Sequence, residues 1–201
     1  MPRGKLIIIA ASTGGPKIVV DILSRIPPGL PVAIIVIQHM LPKFIESFSK
    51  RLSKSVKLGV KTGSQGMRVV NGEVIVAPGK KHLVLEENDG EVFVALDDSG
   101  PRSGVIPSAD LTMITAAPIY RENLMGVILT GMGKDGMNGF EKLKEMGGVT
   151  VVQDEETAVV YGMPGQALNR GLVDKVLSPR EVSEEIIRFS REDPLNGHVE
   201  I

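Results

Sequence analysis

The chain of 201 residues has no cysteine and no tryptophan, and only 3% of it is aromatic. Without cysteine there are no disulfides, no thiolate metal sites and no cysteine nucleophile, a composition that fits a reducing compartment. Two tyrosines and five phenylalanines are too few for a base-stacking platform. Charge of one sign is lacking too: the formal net charge is -1, with Lys and Arg scattered along the chain, so there is no electrostatic footprint for nucleic acid or an anionic membrane. The longest apolar runs, Leu6 to Ala11 and Val32 to Ile37, fall far short of the roughly 18 residues that span a bilayer. Arg3 and Lys5 precede the first run, but it meets a Ser-Thr-Gly-Gly turn where a signal peptide would have its cleavage site. A cytoplasmic protein without membrane-embedded segments or metal is therefore expected. What remains is 42% hydrophobic residues, enough to bury one substantial core without staples.

Those residues are ordered as an α/β chain. Leu6 to Ala11 reads as a strand, Lys17 to Ile26 as a helix stopped by Pro27-Pro28-Gly29, and Val32 to Gln38 as a second strand, giving a βαβ unit. Pro42 to Ser53 carries Phe44, Ile45, Phe48 and Leu52 at helical spacing. From Val56 to Leu96 the pattern alternates between short segments, with Asn71-Gly72 and Asn88-Asp89-Gly90 as hairpin-type turns, which predicts an antiparallel excursion. Parallel order resumes with a helix over 108–117, a strand over 124–130, a helix over 138–146 and a strand over 149–153. Helices over 164–170 and 179–190 follow, and 191–201 reads as a loose polar tail. The expectation is a single domain over 1–201. Its fold class is α/β, a doubly wound, mostly parallel sheet with helices on both faces and a short antiparallel hairpin excursion.

Three strand ends carry the chemistry. Ser12, in Ala11-Ser12-Thr13-Gly14-Gly15-Pro16, follows the first strand and opens a helix, where unpaired N–H groups favour developing negative charge. The bland reading is a helix cap or a phosphate-holding turn. His39 follows the second strand and projects from the same edge, whereas His82 falls in the hairpin region and His198 in the tail, so His39 is the candidate base. Asp135 is the sole carboxylate of Thr130-Gly131-Met132-Gly133-Lys134-Asp135-Gly136, after a third strand, and its bland reading is a helix cap. Serine, base and orienting acid are the requirements of acyl transfer. The order Ser, His, Asp, without a Gly-x-Ser-x-Gly elbow, disfavours the α/β-hydrolase, chymotrypsin-like and subtilisin-like families.

A rival reading uses the same segment. Gly131 to Gly136 matches Gly-x-Gly-x-x-Gly after a strand, and Asp154 ends the next strand 18 residues after Gly136, a dinucleotide-binding spacing of Rossmann type. It leaves Ser12 and His39 unexplained, and it sets the Asp135 carboxylate where a pyrophosphate should bind.

Together these segments resemble the catalytic domain of chemotaxis protein-glutamate methylesterases, the CheB family. The likeness extends to Ala77-Pro78-Gly79 with His82, Pro107-Ser108 with Asp110, and Gln153-Asp154-Glu155 followed by Gly162-Met163-Pro164. It implies a serine esterase that demethylates glutamyl esters and deamidates glutamines on methyl-accepting chemoreceptors, without a cofactor. Ser12 is then the nucleophile, His39 the general base and acid, and Asp135 the residue that orients it. Backbone N–H groups of Thr13 and Met132 are the oxyanion-hole candidates. The family's N-terminal receiver domain is not expected in this chain, whose catalytic strand starts at Leu6. Two departures stand out: Ala10 replaces a usual glycine, and Gly165 replaces a usual arginine that would serve substrate or interdomain contact. Met40, Met132, Met137 and Met163 lie near the expected site as an adaptable surface or as ordinary core.

Overall fold

The computed structural model describes residues 4–192, so the tail beyond Glu192, with His198, lies outside the described residues. The two longest apolar runs become β1 (Lys5–Ala11) and β2 (Val32–Gln38), paired in parallel with Leu6 opposite Ala33 and Ala11 opposite Gln38. Every residue of both strands is buried, which is why they read as continuous hydrophobic runs and not as alternating ones. β1 pairs on its other side with β7 (Leu124–Ile128). The full sheet, in the order β3-β4-β2-β1-β7-β8-β9, is parallel throughout; its other members are β3 (Gly59–Thr62), β4 (Glu73–Val76), β8 (Val149–Gln153) and β9 (Lys175–Leu177).

Side chains leave each central strand alternately to two cores. Ile7, Ile9, Val36 and Val127 meet α1 (Gly15–Ser24), α2 (Pro42–Ser55) and α6 (Pro179–Arg191) on one face. Leu6, Ile8, Ile35 and Ile128 meet α3 (Ala109–Tyr120), α4 (Met137–Glu145) and α5 (Gly162–Asn169) on the other. The α/β expectation with helices on both faces is met. Helix boundaries follow local signals: α6 starts at a capping box, Ser178 with Glu181, and α2 and α6 both have proline in the first turn.

The predicted antiparallel excursion over 56–96 is corrected in part. β3 and β4 belong to the parallel sheet, and Asn71-Gly72 leads into β4 without reversing the chain. Only β5 (His82–Asn88) and β6 (Glu91–Asp97) form the antiparallel hairpin, turned at Asp89-Gly90, both with positive φ. The crossover from β3 to β4 runs along the edge of β6, with Gly66 and Val69 donating to Val94 and Val92, so its alternating pattern reflects real pairing with a different partner. β9, a three-residue edge strand, has no counterpart in the sequence reading. Arg191, assigned to the loose tail, is the last residue of α6.

Candidate active site

β1, at the centre of the sheet, has β2 on one side and β7 on the other, so the chain winds away from it in both directions. Such a switch point leaves a crevice at the strands' carboxyl ends. Ser12, His39 and Gly131 emerge into it. The Ser12 N–H donates to Thr130 O at 3.0 Å and the His39 N–H to Ala11 O at 2.9 Å, which stitches the three strand ends together. Gln38, the last residue of β2, adds a clamp: its Nε2 donates to the Ser12 carbonyl at 3.0 Å and to the His39 carbonyl at 3.2 Å.

Gly131 lies directly against the serine. A Cβ built there would stand 2.6 Å from Ser12 Cβ and 2.7 Å from Met163 Sδ, so only glycine allows this approach. The helix-cap reading of the Ser12 turn is not met, because α1 is capped by Gly14 in a left-handed conformation with no side-chain hydrogen bond. Neither Ser12 Oγ nor the N–H groups of Thr13 and Met132 have a partner among the described residues.

His39 Nε2 lies 2.8 Å from Asp135 Oδ2, and the two side chains are only 8% and 3% exposed. Asp135 also accepts from Ser108 Oγ at 2.7 Å, from the Ala109 N–H at 2.6 Å and from the Asp110 N–H at 3.2 Å. Burial pushes the carboxyl pKa up, but the His39 hydrogen bond and charge, with the Ala109 and Ser108 donors, outweigh this and hold it below the usual carboxylate range. An ionised Asp135 has only acceptors, so the Nε2 of His39 is the donor in this pair, and a neutral His39 has its lone pair on Nδ1. That Nδ1 is buried and has no hydrogen-bond partner among the described residues. Asp135 does cap a helix, as its bland reading had it, yet the helix is α3 and not α4, which follows it in sequence.

His82 corrects the expectation that the hairpin histidine stands apart from the site. It is fully buried, its Nδ1 accepts the Ser108 N–H at 3.0 Å, and its Nε2 donates to Gly100 O at 3.2 Å. The ring therefore holds in place the serine whose hydroxyl binds Asp135. No local pattern exposes this link, which arises from the packing of β5 on α3.

Beside His39 an open groove of about 660 Å³ runs between Met40, Leu41, Lys80, Val105 and Ile106. Its walls are mainly apolar, with Lys80 as the cation. Met132, 73% exposed, and Leu41, 60% exposed, sit at the surface, whereas Met137 and Met163 are core residues. Gly165 lies in α5, where a Cβ would come within 3.2 Å of the Tyr161 ring, and Ala10 fills a buried position of β1. Asp154, the acid of the dinucleotide reading, is occupied locally by the Thr157 N–H at 3.0 Å. With Asp135 turned into the α3 N-terminus, that reading is not favoured.

Fold and site thus define an open parallel α/β protein with a buried histidine–aspartate pair beside a serine turn at the switch point. The CheB methylesterase family matches over residues 7–186, and the chain belongs to it. The chain is 42% identical over 186 residues to the protein-glutamate methylesterase/protein-glutamine glutaminase of Thermotoga maritima, covering 92% of this chain and 54% of that one. Its counterpart in Pyrococcus abyssi is 39% identical over 188 residues, covering 94% of this chain and 51% of the relative. The crystal structure of the Thermotoga maritima CheB methylesterase catalytic domain superposes with a TM-score of 0.90 at 42% identity, covering 92% of this chain and 98% of that one. The chain spans about half the length of the curated relatives it matches.

Proposed function

We propose that residues 1–201 act as one catalytic domain, a serine hydrolase that demethylates glutamate methyl esters and deamidates glutamines on chemoreceptors. The observation that carries this reading is the His39–Asp135 pair, whose Nδ1 is buried and without a hydrogen-bond partner among the described residues, on the strand end next to that of Ser12. Ser12 Oγ attacks the ester carbonyl carbon while its proton passes to His39 Nδ1. The imidazolium so formed is stabilised by ionised Asp135, and the N–H groups of Thr13 and Met132, which have no acceptor among the described residues, hold the oxyanion. Collapse breaks the acyl C–O bond, and His39 returns its proton to the leaving methoxide, releasing methanol. Water, deprotonated by His39, then frees the glutamate carboxylate from Ser12. With glutamine the leaving group is ammonia. No step calls for a cofactor.

The apolar groove with its single lysine suits a flexible glutamyl side chain on a protein surface. In this reading the partners are methyl-accepting chemoreceptors, as protein substrate, and a phosphorylatable receiver domain, with the reaction in the cytoplasm. Among the described residues no helix is long and apolar enough to cross a membrane. Methanol released from methyl-labelled receptor membranes tests the proposal. The purified chain should release it, and Ser12→Ala should lower the rate by roughly four to six orders of magnitude. A loss below about tenfold would remove Ser12 from the mechanism.

A further inference from the structure

Asp110 lies outside the sequence of chemical steps, yet it is tied to Asp135 by a reciprocal arrangement of two helix starts. Asp135, just before α4, accepts the first N–H groups of α3, from Ala109 and Asp110. Asp110, in the first turn of α3, accepts the Gly139 N–H of α4 at 2.8 Å. The N-cap of α4 is Gly136, which has no side chain with which to cap it, so Asp110 supplies the acceptor from the neighbouring helix. The two helices touch closely there, since a Cβ on Gly139 would stand 2.8 Å from Met113 Cβ. Each carboxylate thus occupies the favourable N-terminal end of the other's helix.

Asp110 is only 4% exposed. Burial and the charge of Asp135 push its pKa up to about 6, against the opposing pull of the Gly139, Gly136 and Asn138 N–H groups. A neutral asparagine would offer the Gly139 N–H an acceptor without a second buried charge beside Asp135. The carboxylate therefore has a consequence that capping alone does not require.

We propose that Asp110 is a positioning residue for the hydrolysis: by capping α4 and holding a second negative charge behind Asp135, it fixes the Asp135 carboxylate on His39 and makes His39 a stronger base. The inference rests on the triad reading given above. The groups around Asp110 fit it. α4 faces Asp110 with backbone N–H groups, Asp135 comes from the preceding loop, and His39 lies beyond Asp135 at the end of β2. His82 of β5 is linked through Ser108, whose N–H its Nδ1 accepts. Negative charge near an imidazole favours its protonated form, so removing it weakens the base.

The test is the pH dependence of kcat and KM on a γ-glutamyl methyl ester peptide for the wild type, Asp110→Asn and Asp110→Ser, with Ser12→Ala and His39→Ala as controls. Asp110→Asn keeps an acceptor for Gly139 whereas Asp110→Ser, one bond shorter, loses it, and circular dichroism selects the folded variants. The acid limb of kcat/KM should move down by roughly 0.5–1 pH unit, as expected for losing one nearby charge. The plateau kcat should fall about three- to tenfold with KM within about twofold, a split that loss of stability alone does not produce. An acid limb in its wild-type place in a folded variant overturns the proposal. Activity surviving in the Ser12 or His39 variants overturns the triad reading instead, so the two failures are distinguishable.

Discussion

Replacing Gly131 by alanine tests whether the Ser12 position is set by the close approach of the β1 and β7 ends. The added Cβ would stand 2.6 Å from Ser12 Cβ, 2.7 Å from Met163 Sδ and 3.1 Å from Ser12 N. Met163 Sδ belongs to a flexible chain and can yield. Ser12 Cβ and N cannot move without the turn, which is anchored by Thr130 O on one side and Gln38 on the other. Overpacking of this kind costs about 1–3 kcal/mol, which in a chain of this size lowers Tm by roughly 2–4 °C per kcal/mol. A nucleophile displaced by about 1 Å costs on the order of a hundredfold in rate. Thermal unfolding and kcat/KM on a glutamyl methyl ester should therefore separate, with a modest fall in Tm and a loss of about two orders of magnitude in turnover. Gly100→Ala is the control, because a Cβ there meets nothing within 4 Å. A folded Gly131→Ala protein with wild-type turnover would refute the steric account of how Ser12 is placed.

Other consequences follow from single contacts. Lys5 Nζ donates to the carbonyls of Phe189 and Glu192 at the end of α6, both at 2.5 Å, so Lys5→Met should cost about 1–2 kcal/mol, read as a fall in Tm without loss of kcat. Asp110 has its folded pKa raised to about 6, so its contribution to stability is present below the unfolded carboxylate value and is lost as pH rises through about 6. The stability of Asp110→Asn relative to wild type should therefore rise by roughly 2 kcal/mol between about pH 4 and pH 8, and denaturant titrations showing a constant difference would contradict this. Asp135 has the opposite sign, its lowered pKa adding stability above the unfolded carboxylate range that is lost as pH falls through its folded value. In turnover measurements, activity should fall towards acid pH as the base takes up a proton, and a flat profile from about pH 5 to pH 8 would exclude an imidazole base.

The central strands were legible because β1, β2 and β7 are buried on both faces, which writes them as short continuous apolar runs. Their ends placed Ser12, His39 and Asp135 on one edge, and the structure joins His39 to Asp135. The segment from 56 to 96 was less legible. A residue such as Gly72 serves a hairpin or a crossover equally well, and the choice is made by partners remote in sequence, here Val32 O and the edge of β6. β9 is too short to show a period. The supports of Asp135 lay out of reach for a related reason. Ser108, Asp110 and His82 are distant from Asp135 in sequence, and only the packing of α3 against α4 and β5 brings them together. Helix-cap logic identified Asp135 as a capping residue but, being local, assigned it to the wrong helix.

The most direct test of the central claim is covalent capture of Ser12 by a phosphonofluoridate. Its P–F bond is replaced by a P–O bond to a serine that is activated by a base, with fluoride leaving. Mass spectrometry of the intact chain and of its peptides reads the outcome. The account predicts one adduct, on the peptide containing Ser12, forming at least about a hundredfold more slowly in His39→Ala. An adduct on another residue, or labelling of Ser12 at the same rate without His39, would contradict it.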